Sequence, residues 1–332
     1  MARNGRNGRN GRDLSSLTDL QTPWCVRVAA TLRIADHMAA GMEDVGELAA
    51  AAGCAADPLR ELLGYLVSQG VFNEPEPGRF TLNDTARELL DPATHIGLDL
   101  AGIGGRFAHA WGTLLSYVRT GEPGYHEAFG RPFWADLDAN PELAASFDAL
   151  IGPTGHGRPN VDFEVIGGWQ PVTTVVDVGG GTGSTLAEIL LARPHVRGVL
   201  VDLPRTVARS AEIFEAAGVS DRVTVCGQSF FDPLPAGADL YLLKNVLHDW
   251  PDAETGRILR RCADAARPDG RVVTIGAVVP DAGQPVLDLI SVLLGGRTNT
   301  LAEFQKIAGE NGLKVVEARH QRPGFIVECA PV

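Results

Sequence analysis

The chain contains little that would suit a membrane, secreted or metal-binding protein. None of its apolar runs approaches the roughly 20 residues needed to span a bilayer, and its first residues lack the apolar core of a secretory signal. Its five cysteines are far apart and have no metal-ligand spacing. Such cysteines are expected to be reduced thiols. The sequence therefore predicts a cytoplasmic protein with no metal site and no membrane partner.

Basic side chains are also scarce, with 29 Lys and Arg against 41 Asp and Glu and a formal net charge of −12. Because phosphate binding needs a basic surface, this balance predicts that nucleic acid is not a partner. Four arginines nevertheless fall in a polar, glycine-rich stretch that ends at Arg12. We expect residues 1–13 to be a disordered tail, with Arg12 as a candidate contact for an anionic ligand.

Residues 175–184, which read VVDVGGGTGS, are the most informative stretch of the chain. An apolar β-branched run is typical of a buried strand, and the glycines allow a sharp turn into a helix N-terminus. A dinucleotide-binding turn would need glycine at position 184, which is Ser184 here, and a phosphate-binding loop would need a following Lys. The D-x-G-x-G-x-G spacing instead fits a nucleoside with an amino-acid tail, which by pattern is S-adenosylmethionine.

A second apolar run, residues 199–201, ends at Asp202, roughly 20 residues beyond the glycine turn. A carboxylate at the end of a strand can accept hydrogen bonds from two ribose hydroxyls. Both dinucleotide and adenosylmethionine sites use such an acid, so Asp202 alone indicates an adenosine-type ligand. The alternative is that Asp202 caps a helix that begins at Pro204.

The N-terminal part of the chain is predicted to be mostly helical. A helical region over residues 14–52 is followed by a helix over 56–70 and a small hairpin formed by 71–74 and 79–82. This order of elements is a winged-helix pattern, which in isolation would suggest DNA binding. The acidic balance argues against that function, and residues 83–168 are expected to form further helices.

From Val172 onward, short apolar runs alternate with helical stretches. The runs are 174–178, 198–202, 222–226, 238–243, 271–276, 313–318 and 324–329. This alternation predicts an α/β fold with a doubly wound, mostly parallel sheet, in which the ligand lies beyond the carboxyl ends of the strands. We expect four regions: the tail 1–13, a winged-helix-like domain 14–92, a helical linker and substrate roof 93–168, and a catalytic domain 169–332.

The fourth of these runs leads into Lys244-Asn245-Val246-Leu247-His248-Asp249-Trp250. A neutral imidazole just past a strand end, at the ligand face of the sheet, is well placed to act as a general base. The alternative is a histidine that only caps the next helix. We favour the base because this strand is expected to neighbour the one that carries the glycine turn.

Together these stretches resemble the small-molecule O-methyltransferases of the caffeate and hydroxyindole type and their bacterial natural-product branch. The matching segments are VVDVGGGTGS, VDLP, FFDPLP at 230–235, LLKNVLHDW, and Gly295-Gly296-Arg297 through Glu303-Phe304. The resemblance covers nearly the whole chain. It implies a Rossmann-like methyltransferase domain, an N-terminal winged-helix-like domain that serves dimerisation, a homodimer, S-adenosyl-L-methionine as cofactor and a small aromatic substrate.

The resemblance also implies roles for individual residues. Its cofactor contacts are Gly179 and Gly181 behind the methionine part, Asp202 with Leu203 at the ribose and adenine, Ser229 with Phe230 along the adenine, and Lys244 near the cofactor. His248 is the residue expected to deprotonate the acceptor hydroxyl. Asp249 is either its helper or a helix-start residue.

The chain departs from the family at three places. Ser229 stands where relatives have an acid, so it can bond adenine only without a charge. Many relatives carry a Glu on the strand that holds Gly276, and another in the segment after Gly295-Gly296, and both acids are missing here. Asp249 or a backbone carbonyl is therefore left to fix the tautomer of His248.

Substrate contacts are expected from the helical roof. The candidates are Arg12, Phe107, Trp111, Phe147 and Ile151, with Arg106 or Arg158 as further partners for a substrate carboxylate. The leading hypothesis is methylation of a phenol, hydroxy-naphthoate or polyketide hydroxyl in antibiotic biosynthesis. One alternative is a hydroxylase of the same fold that uses the cofactor structurally. Another is a winged-helix regulator that senses S-adenosylmethionine.

Overall fold

The computed structural model describes residues 14–152, 158–266, 268–282, 287 and 289–332. They form two compact units, of which the first ends at Gly105 and the second begins at Arg106. The tail predicted for residues 1–13, including Arg12, lies outside the described residues.

The first unit contains short helices and one hairpin. Its elements are α1 (Leu14–Leu17), α2 (Gln21–Thr31), α3 (Ile34–Ala39), α4 (Val45–Ala52), α5 (Ala56–Ser68), β1 (Phe72–Glu76), β2 (Arg79–Leu82), α6 (Asp84–Arg87), α7 (Pro92–Leu98) and the start of α8 (Ile103–Ala110). Strands β1 and β2 are antiparallel. The order of helices and hairpin confirms the predicted winged-helix pattern.

The core of the first unit is apolar and lies under the hairpin. Leu48, Leu63, Leu66 and Phe80 are fully buried in one hydrophobic cluster. Helix α4 begins where the side chain of Asp44 accepts hydrogen bonds from two N–H groups of the first turn, because the first amides of a helix have no partners within it.

The second unit opens with a group of helices. After α8 come α9 (Leu114–Thr120), α10 (Tyr125–Phe129), α11 (Phe133–Ala139) and α12 (Pro141–Ile151). A buried carboxyl, Asp136, holds this group together. It accepts hydrogen bonds from the Tyr125 hydroxyl and the Asn140 amide, and it pairs with Arg106 at 3.0 Å. A buried charge needs such partners to offset its lost hydration.

A seven-stranded sheet with flanking helices forms the rest of the second unit. The elements are β3 (Thr174–Val178), α13 (Ser184–Ala192), β4 (Arg197–Asp202), α14 (Pro204–Val207), α15 (Ser210–Ala216), β5 (Val223–Gly227), β6 (Leu240–Lys244), α16 (Asp252–Ala266), β7 (Arg271–Ile275), β8 (Val278–Val279), α17 (Leu289–Leu294), β9 (Asn299–Thr300), α18 (Leu301–Glu310), β10 (Leu313–Gln321) and β11 (Gly324–Pro331). Strands β8 and β9 form a separate parallel pair.

The strands of the large sheet are ordered β10-β11-β7-β6-β3-β4-β5. Neighbours from β7 to β5 are parallel, whereas β11 runs antiparallel to both β7 and β10. The predicted doubly wound, mostly parallel sheet is therefore confirmed. Chain order reverses between β3 and β6, and this switch point is where such sheets bind their ligands.

Both faces of the sheet are covered by apolar side chains. One cluster includes Tyr241, Ile258 and Phe304, and the other includes Leu186, Leu200 and Phe214. Burial on both faces explains why the central strands read as continuous apolar runs in the sequence. None of the helices described is long and apolar enough to cross a membrane.

Candidate functional site

The carboxyl ends of β3 and β6 meet at the switch point of the sheet. Strand β3 ends at Val178 and leads into the glycine turn, and β6 ends at Lys244, four residues before His248. Asp177 of β3 pairs with Leu242 of β6. The fold therefore brings together the two segments that the sequence singled out separately.

The glycine turn adopts a backbone that side chains would oppose. Gly179, Gly181 and Gly183 all have positive φ values, of 70°, 61° and 90°, a region that costs other residues energy. A Cβ at Gly183 would overlap the ring of Phe214, whereas at Gly181 it would meet nothing within 4 Å. The turn is thus closed toward the core at Gly183 and open at Gly181.

Asp202 ties the end of β4 to this turn. Its Oδ2 accepts a hydrogen bond from the N–H of Gly181 at 2.8 Å, and its Oδ1 accepts one from the N–H of Leu203 at 2.7 Å. Burial raises the pKa of Asp202, while these two hydrogen bonds oppose the rise. The N-cap of helix α14 is Leu203 and not Asp202, so the helix-capping alternative does not describe this residue.

Asp177 is a buried acid that was not among the predicted site residues. It is 1% exposed, and among the described residues its Oδ2 has no hydrogen-bond partner. Burial raises the pKa of Asp177 to about 7, against the opposing effect of the Lys244 ammonium and a hydrogen bond from the N–H of Leu186. Its place at the end of a strand, two residues before the first glycine, was the available signal.

Lys244 is half-buried beside this acid. Burial lowers the pKa of its ammonium, and the Asp177 carboxyl opposes that shift. The two side chains therefore interact electrostatically at the carboxyl ends of the neighbouring strands β3 and β6.

The segment after β5 also reaches the glycine turn. The ring of Phe230 lies so close to Gly179 that a Cβ there would stand 3.3 Å from its edge. The Ser229 hydroxyl accepts a hydrogen bond from the N–H of Phe231 at 3.2 Å. Gln228 is anchored through its N–H to the carbonyl of Asp202. The segment after β5 therefore lies against the glycine turn at Gly179 and against the end of β4 at Asp202.

His248 and Asp249 lie in a short 3-10 turn, Leu247–Asp249, that follows β6. The imidazole Nε2 is 3.2 Å from Asp249 Oδ1, and both side chains are about one-fifth exposed. Helix α16 begins at Asp252. Neither residue is therefore the first residue of that helix, and the two side chains form a His-carboxylate pair.

Two glycines, Gly276 and Gly296, lie close to the segment that carries His248. A Cβ at Gly276 would overlap the side-chain oxygen of Asn245, which itself has a positive φ of 57°. A Cβ at Gly296 would overlap the backbone of His248, Asp249 and Trp250. The segment after α17 therefore packs directly against the backbone of the His248 turn.

An aromatic cluster, called the aromatic wall below, joins helices α8, α11 and α12 to the segment that follows β6. Phe133 contacts Phe107, Trp134 and Phe147, with ring centroids 6.2, 5.0 and 5.4 Å away. Trp134 in turn stacks on Trp250. Phe107 and Phe147 were predicted as substrate contacts, whereas Trp134 and Trp250 were not. The adjacent Phe133-Trp134 pair, in a chain with only 6% aromatic residues, was a usable signal.

The other candidate substrate residues are placed differently. Trp111 and Ile151 are each 43% exposed. Arg106 is engaged with Asp136, and Arg158 forms a two-pronged ion pair with Glu188. Both arginines already have carboxylate partners, which makes them poor candidates for a substrate carboxylate.

Comparison with known proteins identifies the family. Residues 111–314 match the O-methyltransferase domain, and residues 16–92 match the O-methyltransferase dimerisation domain. The chain is 40% identical over 310 residues to 2,7-dihydroxy-5-methyl-1-naphthoate 7-O-methyltransferase of Streptomyces carzinostaticus, covering 91% of this chain and 92% of the relative. It is 38% identical over 321 residues to aclacinomycin 10-hydroxylase RdmB of Streptomyces purpurascens, covering 92% and 85%.

Comparison with a solved structure supports the same family. The crystal structure of the O-methyltransferase NcsB1 from neocarzinostatin biosynthesis, in complex with S-adenosylmethionine and 2-hydroxy-5-methyl naphthoic acid, superposes with a TM-score of 0.89. The two sequences are 39% identical, and the match covers 98% of this chain and 100% of NcsB1. With both domain matches and these relatives, the chain belongs to the S-adenosylmethionine-dependent small-molecule O-methyltransferases.

Proposed function

We propose that this enzyme methylates a hydroxyl group of a hydroxy-naphthoate or a closely related aromatic acid. The observation that carries the proposal is the likeness, over almost the full chain, to a dihydroxy-naphthoate methyltransferase and to a structure that holds a naphthoic acid. The aromatic wall of Phe107, Trp134 and Phe147 supports a flat, apolar substrate, because rings favour stacked and edge contacts with other rings.

The residues of the glycine turn fit S-adenosylmethionine. The open space at Gly181 lets a ligand approach the backbone, and the buried Oδ2 of Asp177 retains an acceptor beneath it. Gly179 and Gly181 would lie behind the methionine part, Asp202 with Leu203 would hold the ribose and adenine, and Ser229 with Phe230 would lie along the adenine. Lys244, whose ammonium interacts electrostatically with Asp177, would balance charge near the cofactor.

The protein itself has few chemical tasks in this reaction. When bound, S-adenosylmethionine supplies a methyl group that its sulfonium already activates. The chain's own task is to align the acceptor hydroxyl, exclude water and remove one proton.

His248 is the proposed general base, and Asp249 its positioning residue. With one imidazole nitrogen donating to the Asp249 carboxylate, the other ring nitrogen is the basic one. The carboxylate would also stabilise the imidazolium that forms when the acceptor hydroxyl loses its proton. Asp249 would thus take over the task of the two acids missing near Gly276 and after Gly296.

Trp134 supplies a second directional contact. Its indole Nε1 is buried, and no acceptor for it exists among the described residues. A buried N–H without an acceptor is costly. A carboxylate or carbonyl oxygen of the substrate would satisfy it, which supports an aromatic acid over a simple phenol.

A hydroxylase that keeps the cofactor intact is the second candidate. The 38% identity to aclacinomycin 10-hydroxylase favours it, together with the acids missing from the strand of Gly276 and from Thr298. We consider it the weaker candidate because Asp249 already provides a carboxylate for His248.

The assembly and location follow from the family and the composition. The dimerisation domain at 16–92 supports a homodimer. The acidic net charge of −12 supports a protein that does not bind nucleic acid, which counts against an S-adenosylmethionine-sensing regulator. With reduced cysteines, these features support a cytoplasmic enzyme.

Mass spectrometry of product and spent cofactor tests the proposal. The purified enzyme is incubated with S-adenosylmethionine and a panel of hydroxy-naphthoates, hydroxybenzoates and matched phenols. We expect a product heavier by one methyl group and an equal amount of S-adenosylhomocysteine, with the naphthoates turned over fastest. An oxygenated product beside intact cofactor would instead establish the hydroxylase.

A further inference from the structure

Arg297 binds two carboxylates that belong to different helices. Its Nε and one terminal nitrogen donate to Asp252 at 3.2 and 2.8 Å, and its other terminal nitrogen donates to Glu303 at 2.9 Å. Asp252 is the first residue of α16, and Glu303 lies in the first turn of α18. One planar guanidinium therefore joins the beginnings of two helices through directional, charged hydrogen bonds.

Glu303 is itself held in place at the start of α18. Its second carboxylate oxygen accepts hydrogen bonds from the N–H and the hydroxyl of Thr300, at 2.8 and 2.9 Å, and the Thr300 hydroxyl caps the same helix. The hydrogen bond from Arg297, together with those from Thr300, lowers the pKa of Glu303 to about 2. Glu303 is therefore an ionised and fixed anchor for Arg297 at neutral pH.

The residue before Arg297 touches the backbone that carries the proposed base. Gly296 is buried, and a Cβ at this position would overlap the carbonyl oxygen of His248. Asp252 lies four residues after His248, where α16 begins. The consecutive residues Gly296 and Arg297 therefore hold the segment 248–252 at both of its ends, one through backbone packing and the other through an ion pair.

Building on the assignment of His248 as general base, we propose that Arg297 is a positioning residue for that base. Its guanidinium fixes Asp252, and with it the end of the segment on which His248 and Asp249 lie. The imidazole then keeps the direction that proton removal from the acceptor hydroxyl requires. Such alignment matters because a displacement of about 1 Å at a reacting group can cost up to about 10²-fold in rate.

A double-mutant comparison of Arg297 with His248 tests the proposal. Arg297→Gln removes the charge, and we expect kcat for a hydroxy-naphthoate to fall about three- to tenfold with an unchanged KM. In a protein that already carries His248→Ala, the same change should alter kcat less than about twofold, because residues that act through one another are not additive. Arg297→Lys should recover only part of the rate, because an ammonium lacks the planar set of donors that binds Asp252 through two nitrogens.

The acidity of the acceptor hydroxyl gives a readout that a purely structural role would not move. Ring substituents that bring the pKa of the substrate hydroxyl below the assay pH remove the need for a base. The loss caused by Arg297→Gln should therefore be greatest for a hydroxyl of ordinary phenol acidity and should vanish for the most acidic substrates. An equal loss over the whole series would overturn the proposal.

Hydrogen exchange followed by mass spectrometry measures the segment directly, without substrate. In Arg297→Gln we expect faster amide exchange in peptides that span residues 245–252, because this segment has lost one of its anchors. Arg319→Gln is the matched control. The Arg319 side chain pairs with Glu317 at 2.6 Å and is 38% exposed, against 39% for Arg297, but it lies on β10. This control should change neither the exchange of residues 245–252 nor kcat.

The outcomes distinguish this inference from the proposed function on which it rests. If His248→Ala leaves kcat unchanged, His248 is not the base, and the positioning role of Arg297 is wrong as well. If His248→Ala lowers kcat while Arg297→Gln does not, or if the two losses multiply, only the inference about Arg297 is wrong. Asp252→Asn breaks the same ion pair from its other partner and should reproduce the kinetic and exchange results. Thermal unfolding shows that each variant is folded at the assay temperature.

Discussion

Trp134 stacks on Trp250, with ring centroids 6.1 Å apart and ring planes only 12° from parallel. Trp134 belongs to helix α11 of the aromatic wall, whereas Trp250 follows the His248-Asp249 pair directly. This one contact couples the wall to the turn that carries the proposed base. Phe230 and Phe231 pack edge-on against Trp250, which extends the contact to the segment after β5.

Two substitutions of Trp134 distinguish the contribution of its ring from the contribution of its N–H group. Trp134→Phe keeps an aromatic ring but loses the buried donor, so we expect the KM for a hydroxy-naphthoate to rise about tenfold with little change in kcat. Trp134→Ala also removes the ring and should destabilise the protein by about 2–4 kcal/mol. Steady-state kinetics and thermal unfolding measure these effects.

The matched substrate pair provides the control for Trp134. A naphthol that lacks the carboxylate should show the same KM with the wild type and with Trp134→Phe. If the two substrates lose affinity equally, the indole N–H does not contact the acid group.

His248→Ala removes the proposed base. With a hydroxyl of ordinary phenol acidity, we expect kcat to fall by at least ~10²-fold, since general base catalysis contributes about this much. Added imidazole should restore part of the rate. An unchanged rate would mean that alignment alone suffices, and it would remove His248 from the mechanism.

Asp249→Asn tests the positioning role of the carboxylate. The Asn side chain can still contact the imidazole but carries no charge, so we expect a smaller loss in kcat, about tenfold, with an unchanged KM. Asp249→Ala should lose more than Asp249→Asn. Identical losses in the two variants would argue that the carboxylate does not orient His248.

Gly296→Ala should displace the His248 turn. The added methyl group would overlap the backbone of His248 and Asp249, which is expected to cost about 1–3 kcal/mol of stability and to lower kcat. The control is Gly309→Ala in helix α18, where a Cβ meets no atom within 4 Å. This second change should be neutral or stabilise the protein by up to about 1 kcal/mol.

Asp177→Asn should change how stability depends on pH. The pKa of Asp177 in the folded protein, about 7, lies above the usual carboxyl value near 4. Its neutral form therefore favours folding below about pH 4, and this contribution is lost as pH rises through 7. In the cofactor-free protein, we expect Asp177→Asn to raise the unfolding midpoint at pH 8 by about 2 °C or more and to have little effect at pH 4.

Asp264, exposed on helix α16, provides the comparison for Asp177. Asp264→Asn should shift the unfolding midpoint equally at both pH values. A rise for Asp177→Asn that is the same at pH 4 and pH 8 would contradict the raised pKa.

The sequence predicted the fold class well because burial determines which residue types a central strand contains. Central parallel strands are apolar on both faces, so runs such as 174–178 stood out and matched β3 and the other strands. The glycine turn was equally visible, because positive φ values at Gly179, Gly181 and Gly183 require glycine in nearly every case. The approach of Asp202 to this turn was expected from the parallel strand order.

Only part of the aromatic wall could be predicted from the sequence. Phe107 and Phe147 were named as candidates, but Trp134 and Trp250 lie 116 residues apart in the chain, and only packing brings their rings together.

The sequence by itself determined the strands, the glycine turn and the family, because each depends on local backbone demands or on the alternation of apolar runs. Only the tertiary structure decided which side chains share a space. It set the stacking of Trp134 on Trp250, the burial of Asp177 and the close packing of Gly296 against the His248 turn. These relations depend on desolvation and on contacts between distant segments, which exist only after the chain has folded.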